Sequence, residues 1–216
     1  MHGEAPEMMS DYIYLHGFAS GPQSYKGQWL RSQFHRNAID LQLLDLNQGD
    51  FAHLTLTRQI HQVVQCLRGP TTLIGSSLGG LTAAWVAQRS SHVKRLILLA
   101  PAFEFLAQWL PRLGAAQLQQ WETSGWLSVY HYGLQAQLPL HYGFITDARA
   151  YSDGQLTRPL PTLILHGRQD EVIAFHASEA YAHQRPWTTL QPLDTDHAMA
   201  DAMDPIWQAV QTFCSL

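Results

Sequence analysis

The sequence predicts an α/β protein with about six mainly parallel strands and helices on both faces of the sheet. Apolar runs rich in Leu, Ile, Val and aromatic residues alternate along the chain with stretches of helical spacing. This alternation favours parallel strands, because parallel neighbours need a long connection that is usually a helix. A length of 216 residues suits a single domain with a full hydrophobic core, so we take residues 1–216 as one domain.

Each predicted element corresponds to one run or one stretch, bounded by turn or capping residues. The predicted strands are 12–16, 39–46, 71–75, 94–100, 162–166 and 188–193. The predicted helices are 26–36, 54–67, 78–89, 175–184 and 205–213. In the last helix Asp204 is predicted as the N-cap, with Pro205 at the first helical position, where proline is favoured.

Composition and charge exclude several classes of protein. The formal net charge is −4, so no basic surface for nucleic acid or anionic lipid is expected. No apolar run reaches the ~18 residues of a membrane span. The N-terminus, MHGEAPEMMSD, lacks the basic and apolar regions of a secretion signal, and Cys66 and Cys214 lie in separate helical patterns. We therefore expect a cytoplasmic protein without membrane or nucleic-acid partners and without a disulfide framework.

Residues 102–157 interrupt the alternation. This segment is too long for a plain connection and too apolar for a linker. The repeated tripeptide His-Tyr-Gly, at 131–133 and 141–143, predicts a hairpin with similar tips or edges. Two interpretations stay open: a cap-like insertion that lines a substrate pocket, or a helical pair that packs on the edge of the sheet.

Aromatic residues are concentrated in this segment. If it is a cap, Trp126, Tyr130 and Tyr142 are candidates for substrate binding. Trp109 and Trp121 could equally pack a dimer face, so a homodimer stays open.

Residues 73–80, LIGSSLGG, carry the strongest chemical signal. The pattern Gly-x-Ser-x-Gly fits only Ser77, since the same pattern around Ser76 would need glycines where the chain has Ile74 and Leu78. A nucleophile raised on a sharp strand-to-helix turn needs small residues two positions before and after it. The following helix N-terminus would direct amides and a positive dipole end at an oxyanion. The alternative is a Gly/Ser loop that only changes the chain direction.

A serine nucleophile needs a base that is oriented by an acid. Asp170 follows the predicted strand 162–166, and His197 follows the next one, 188–193. Both loops should therefore lie at the sheet edge that carries Ser77, in the chain order serine, acid, histidine. The neighbouring Glu171 is a rival for the acid.

Other nearby polar residues have simpler interpretations. Asp194 and Asp196 flank the histidine and are interpreted as loop-capping residues. His166 ends a strand, which favours a structural or pocket-lining role.

The loop after the first strand reads Leu15-His16-Gly17-Phe18. A His-Gly turn at a strand end lets the backbone approach the site, so the amide of Phe18 is the predicted oxyanion donor. The amide of Leu78, directly after the nucleophile, is the predicted second donor. His16 is a further candidate for substrate binding.

These motifs resemble the α/β-hydrolase superfamily, and specifically the small YqiA-type serine esterases. The resemblance rests on four blocks that run from residue 12 to the C-terminus. They are Leu15-His16-Gly17-Phe18 with Ser20, Pro22, Ser24 and Lys26; Gly75 to Gly80; Asp170-Glu171-Val172; and Asp196-His197-Ala198. The resemblance implies a hydrolase of carboxylic esters or thioesters with a Ser77–Asp170–His197 triad. Residues 102–157 exceed the insertion that such esterases carry, so substrate preference is not transferred.

Rival functions use the same residues differently. The triad also suits a C–C bond hydrolase, a cofactor-free haloperoxidase or a peptidase of the same fold, and a binding protein could retain the elbow as scaffold. The Gly/Ser turn lacks the Lys-Ser/Thr ending of a phosphate-binding loop. The histidines 131, 141, 176 and 183 lack metal-ligand spacing. We therefore expect a small acyl substrate, no cofactor and no metal.

Overall fold

A computed structural model describes residues 11–216. The N-terminal stretch, for which the sequence predicts no secretion signal, lies outside the described residues. Residues 11–216 form eight strands: β1 (Asp11–Leu15), β2 (Leu41–Leu44), β3 (Thr71–Ser76), β4 (Val93–Leu99), β5 (Trp126–His131), β6 (Ala136–His141), β7 (Thr162–Gly167) and β8 (Thr188–Leu193). Six of them form one sheet and two form a separate hairpin.

The six-stranded sheet has the order β2-β1-β3-β4-β7-β8, and all of its pairs are parallel. This confirms the six predicted strands and their parallel arrangement. The carboxyl ends of the strands consequently lie along one edge of the sheet. β3 is central and fully buried, and the loops that follow β1, β7 and β8 therefore surround its end.

Eight α-helices accompany the strands: α1 (Tyr25–Arg36), α2 (Leu56–Cys66), α3 (Leu78–Arg89), α4 (Phe105–Leu113), α5 (Ala115–Ser124), α6 (Gly143–Ala148), α7 (Phe175–His183) and α8 (Met203–Cys214). The buried residues of α1 and α8 belong to one hydrophobic core, and those of α2, α3 and α7 belong to a second. Helices thus cover both faces, as the sequence predicts. Along residues 11–216 no helix has the length and apolarity of a membrane span.

Successive side chains of the central strands point alternately into the two hydrophobic cores. In β3, Leu73 packs into the core of α2 and α3, whereas Ile74 packs into that of α1 and α8. Leu98 and Ile97 of β4 divide in the same way. A strand buried on both faces reads as a continuous apolar run, because successive side chains point to opposite sides.

The last helix begins earlier than predicted. α8 starts at Met203, with Ala202 at the N-cap, so the prediction of Asp204 as N-cap is wrong. The amide of Ile206 donates to the carbonyl of Ala202 (3.0 Å), which extends the helix before Pro205. Asp204 lies in the first turn instead, where a carboxylate is favourable beside the positive end of the helix dipole.

The segment 102–157 folds as two helices, an antiparallel hairpin and a short helix. α4 and α5 precede the β5–β6 hairpin, and α6 follows it. One His-Tyr-Gly tripeptide begins at the last residue of β5, and the other at the last residue of β6. The predicted hairpin is therefore present.

This segment is attached to the rest of the chain at several points. The Tyr132 amide donates to the Ala19 carbonyl (2.8 Å), and the Thr57 amide donates to the Asp147 carboxylate (3.0 Å). Trp121 is 1% exposed, and its indole N–H donates to the Leu140 carbonyl (2.9 Å). Trp121 therefore packs inside its own chain, which rules out the alternative that it lies on a dimer face.

Candidate active site

Ser77 lies on a sharp turn between β3 and α3. Its φ of 53° and ψ of −120° are a conformation that non-glycine residues rarely adopt. The Ser77 amide donates to the Leu99 carbonyl (2.9 Å), and the Ala102 amide donates to the Ser77 carbonyl (3.0 Å). The end of β4 and the chain that follows it thus hold the strained turn in place.

Two glycines make this turn sterically possible. A Cβ on Gly75 would lie 2.7 Å from the Cα of Gly80, and a Cβ on Gly79 would lie 2.6 Å from the carbonyl carbon of Leu15. Both distances are shorter than a Cβ tolerates, and both involve backbone atoms that cannot move aside. The close approach of β3, α3 and the end of β1 explains the spacing of glycines around Ser77.

Asp170 and His197 meet at the same edge of the sheet. Asp170 follows β7, His197 follows β8, and His197 Nδ1 lies 2.7 Å from Asp170 Oδ2. The other carboxylate oxygen, Oδ1, accepts from the amides of Val172 and Ile173, each at 2.8 Å. The Asp170 side chain is fully buried, whereas the rival Glu171 is exposed. Asp170 is therefore the carboxylate in contact with this histidine.

Opposing effects act on the Asp170 carboxyl. Burial raises its pKa, but hydrogen bonds from His166, His197 and the Ile173 amide, together with the charge of His197, outweigh burial and hold the pKa well below its usual range. The group is consequently ionised at neutral pH. An ionised acceptor at Nδ1 favours the tautomer of His197 in which Nε2 carries a lone pair.

Contacts on either side fix the His197 loop. Lys26 Nζ, from the first turn of α1, donates to the His197 carbonyl at 3.2 Å. Burial lowers the pKa of Lys26 to about 8, although Asp170 and Asp196 partly oppose this effect. Asp196 also accepts from the Met199 amide (3.0 Å), so it caps the loop as predicted. Lys26 entered the sequence analysis only within a motif; no local signal there indicates its contact with a loop 171 residues away.

The predicted oxyanion donors, the amides of Phe18 and Leu78, belong to residues near Ser77. Leu78 is the first residue of α3, where helix amides lack an intrahelical acceptor. Phe18 lines the cavity next to Ser77, and among residues 11–216 no acceptor for its amide is found. Gly17 brings this loop close, since a Cβ there would lie 3.3 Å from that of Ser77.

His16 has a different role from the predicted one. It is buried and does not line the cavity. Its Nδ1 donates to the Gly17 carbonyl, and its Nε2 accepts from the Leu46 amide, each at 2.9 Å. Both ring nitrogens are therefore engaged within the protein, and His16 holds the loop rather than a substrate.

Ser77 and His197 line a cavity of about 740 Å³. Its apolar wall comes mainly from residues 102–157: Trp109, Leu113, Leu127 and Val129. Large exposed side chains surround its mouth: Tyr25, Tyr130, Tyr132 and Val172. Tyr130 lies at the cavity, and its role in substrate binding stays a prediction. Sequence reasoning missed Trp109, Leu127 and Val129. The sequence does not show how residues 102–157 run past the cavity, so it does not show which of their side chains face it.

Trp126 and Tyr142 lie outside this cavity, which corrects their prediction as substrate-binding residues. Trp126 packs against His53 and His141, with ring centroids at 5.5 and 4.9 Å. Tyr142 packs against Trp121 at 5.7 Å. Both rings are used to hold the hairpin in place, a role that sequence composition does not separate from substrate binding.

The arrangement has the parts of nucleophilic acyl transfer: a hydroxyl on a strained turn, an imidazole with a buried carboxylate behind it, and two adjacent backbone amides. For metal binding, the described part of the chain contains no group of three or more His, Cys, Asp or Glu side chains suitably arranged.

Comparison with known proteins finds similarity in sequence to a thioesterase and in fold to solved α/β hydrolases. Over 145 residues it is 28% identical to palmitoyl-protein thioesterase ABHD10, mitochondrial, of Homo sapiens; the match covers 63% of this chain and 47% of the relative. The chain thus spans about half the length of the curated relatives it matches. The structure of alpha/beta hydrolase domain-containing protein 10 from mouse superposes with a TM-score of 0.80 at 21% identity, covering 100% of this chain and 92% of that one.

Est1E from Butyrivibrio proteoclasticus, in a structure with ferulic acid bound, is similar in fold. Its TM-score is 0.80 at 20% identity, with 99% of this chain and 91% of that chain covered. These likenesses confirm the α/β-hydrolase fold that the sequence motifs predict. The model of UPF0227, an uncharacterised protein family, matches residues 11–214. The chain therefore belongs to the UPF0227 family and has the α/β-hydrolase fold.

Proposed function

We propose that this protein is a serine hydrolase that cleaves carboxylic ester or thioester bonds through an acyl-enzyme intermediate. The observation that carries the proposal is the placement of Ser77 and His197 on one cavity, with the buried Asp170 carboxylate 2.7 Å from His197 Nδ1. A strained serine, an oriented imidazole and a carboxylate are the parts that acyl transfer requires.

The proposed reaction has two steps. Ser77 Oγ attacks the acyl carbonyl while His197 Nε2 takes the hydroxyl proton and then passes it to the leaving alcohol or thiol. The amides of Phe18 and Leu78 stabilise the tetrahedral oxyanion. Water, activated by the same imidazole, then attacks the acyl-serine and releases the acid. The mechanism needs no cofactor.

The acyl group is proposed to lie against the apolar wall formed by Trp109, Leu113, Leu127 and Val129. Residues 102–157 then act as a cap, and a cavity of about 740 Å³ has room for an aromatic or a medium-to-long aliphatic acyl group. Two relatives support this substrate class: the human relative is named a palmitoyl-protein thioesterase, and ferulic acid is bound in the Est1E structure.

The test is hydrolysis of p-nitrophenyl esters, from acetyl to palmitoyl, and of acyl-CoA thioesters by the wild type and by Ser77→Ala. We expect turnover in the wild type and a loss on the order of 10⁴- to 10⁶-fold in the variant. A fluorophosphonate should label the wild type at Ser77 and leave the variant unlabelled.

Other outcomes separate the rival functions. Turnover that survives Ser77→Ala would overturn the proposal. Labelling of Ser77 without hydrolysis of any ester or thioester would favour a peptidase or a C–C bond hydrolase that uses the same serine. A folded wild type that is neither labelled nor active would favour a binding protein that retains the elbow as scaffold.

A further inference from the structure

A second imidazole contacts the Asp170 carboxylate. His166, in β7, is fully buried, and its Nε2 lies 3.1 Å from Asp170 Oδ2, the same oxygen that is bonded to His197. Nε2 also lies 3.0 Å from the Ile173 carbonyl. The ring packs edge-on against Phe175 at 5.6 Å. His166 does not line the cavity, and the mechanism proposed above does not use it.

The partners of His166 indicate where its proton lies. Nε2 faces two acceptors, a carboxylate and a carbonyl, so it carries a hydrogen. Nδ1 lies 2.7 Å from Oγ of Ser178, a fully buried residue of α7. With a neutral ring, this hydroxyl donates to Nδ1 and every polar atom of the pair is satisfied. A cationic ring would donate from Nδ1 and leave the Ser178 proton in need of another acceptor.

We propose that His166 and Ser178 form a positioning pair for the catalytic acid. From its buried position outside the cavity lining, His166 holds Oδ2 of Asp170, and Ser178 keeps His166 in the tautomer that donates from Nε2. The proposal rests on the Ser77–His197–Asp170 mechanism described under Proposed function. Neither residue of the pair touches the substrate.

The two carboxylate oxygens of Asp170 have different donors. The amides of Val172 and Ile173 bind only Oδ1 of Asp170, and both therefore leave Oδ2 to other groups. His166 is a second donor to Oδ2, beside the imidazole of His197. Without this donor the plane of the Asp170 carboxylate can rotate. His197, which is bonded to the carboxylate, can then turn away from Ser77. A misplacement of about 1 Å in an active site can cost about 10²-fold in rate.

The experiment measures kcat and KM of the full chain with the best p-nitrophenyl ester for His166→Gln, His166→Asn, His166→Leu and Ser178→Ala. Glutamine places an amide nitrogen near the position of Nε2, whereas asparagine places one near Nδ1. We expect His166→Gln to retain most of the wild-type kcat, and the Asn and Leu variants to lose about 10²-fold in kcat with KM unchanged. Ser178→Ala should lose less than these two, because the Nε2–H donor is still present.

Thr162→Val is the matched control. Thr162 begins the same strand as His166, is buried, and donates from Oγ1 to the Leu160 carbonyl (2.8 Å). Its replacement removes a buried hydroxyl from the far end of β7, so it should lower the melting temperature and leave kcat unchanged. Melting curves of all variants separate a folding defect from a positioning defect. If His166→Leu and His166→Asn do not fold, the kcat values of His166→Gln and Ser178→Ala test the proposal.

Wild-type kcat in His166→Leu, equal losses in the Gln and Asn variants, or a rise in KM at constant kcat would each overturn the role of His166. Wild-type kcat in Ser178→Ala would overturn that of Ser178. The proposed function can fail separately from the positioning pair. If Ser77→Ala keeps its activity, the proposed triad is wrong. If Ser77→Ala is inactive but the His166 variants are fully active, only the proposed positioning pair is wrong.

Discussion

Among single residues, the candidate site depends as much on missing side-chain atoms as on reactive ones. Ser77 has the hydroxyl that is proposed to react, but Gly75 and Gly79 allow its backbone to reach a φ of 53°. Asp170 likewise depends on its surroundings, since burial opposes its charge and donated hydrogen bonds restore it. The steric requirement at the glycines and the lowered pKa of Asp170 each lead to a measurable prediction.

Replacement of Gly79 by alanine is expected to destroy the elbow. The new Cβ would meet the backbone of Leu15 and His16 at the end of β1, and this backbone cannot move aside. We expect a loss of stability of about 3 kcal/mol or more, because overpacking against backbone is not relieved by rotation of a side chain. Urea unfolding and the rate of fluorophosphonate labelling of Ser77 measure the effect.

Gly69→Ala is the control for this substitution. A Cβ at Gly69 has no atom within 4 Å, so both stability and labelling should stay at wild-type values. Equal behaviour of the two alanine variants would refute the steric explanation of the Gly-x-Ser-x-Gly spacing.

The stability of the fold should fall in acid partly through Asp170. Its pKa is lower in the folded than in the unfolded chain, so below about pH 4 the unfolded state binds a proton that the folded state does not. Stability from this group is therefore complete above pH 4 and is lost as the pH falls, by at most about 1.4 kcal/mol per pH unit. The free energy of unfolding in urea, measured from pH 6 to 3, should fall less steeply in Asp170→Asn. Parallel curves for the two proteins would contradict the shift.

Sequence reasoning reaches some of these residues and misses others. The spacing around Ser77 and the strand ends before Asp170 and His197 are local patterns, which a single sequence displays. The bonds of Lys26 to the His197 loop and of His16 to Leu46 join distant parts of the chain, so no local pattern records them.

At the scale of elements, the hairpin forms much of the cavity wall. Leu127 and Val129 of β5 line the cavity, while Trp126 on the same strand is 44% exposed and packs against the outer face. The neighbouring Ser128 and Tyr130 also line the cavity, so β5 runs along its wall. The sequence predicts the hairpin but not its orientation, because β5 has no strict alternation of apolar and polar residues.

If the protein hydrolyses acyl substrates as proposed, Val129→Trp is expected to shorten the acyl chains that it accepts. The indole would fill part of the cavity beside Leu127, so kcat/KM should fall most for the longest esters and least for acetyl esters. The panel from p-nitrophenyl acetate to palmitate measures the profile. Trp126→Ala serves as the control on the same strand, and its profile should match the wild type. A uniform loss across all chain lengths in Val129→Trp would contradict a role in acyl selection.

Across the whole molecule, the sheet separates two hydrophobic cores with different relations to the site. The core of α2, α3 and α7 adjoins the elbow and residues 102–157, whereas the core of α1 and α8 lies behind the sheet. The order of strands and helices follows from the sequence, since apolar runs and connections repeat regularly. The fold of residues 102–157 does not follow from the sequence. Aromatic residues are equally suited to a cavity wall, a hydrophobic core and an outer surface, so composition does not tell these positions apart.

Phe34→Ala should separate stability from activity. Phe34 of α1 is fully buried, with its ring 4.8 Å from that of Tyr12 and 5.1 Å from that of Trp207. The cavity left by alanine should cost about 3–5 kcal/mol in the free energy of unfolding. At a temperature where the variant is folded, kcat should equal that of the wild type. A parallel fall in kcat would show that the rear core also holds the loops that carry Asp170 and His197.

The bond from the Tyr132 amide to the Ala19 carbonyl joins the hairpin turn to the loop that carries Phe18. Evolutionary change at the turn is therefore expected to alter rate and selectivity together, since the turn supports both. Changes at Leu127 or Val129, within paired strands, leave that bond in place. Relatives with new substrate preferences should thus differ more often at these wall positions than at the turn, and a directed-evolution library would be best confined to them.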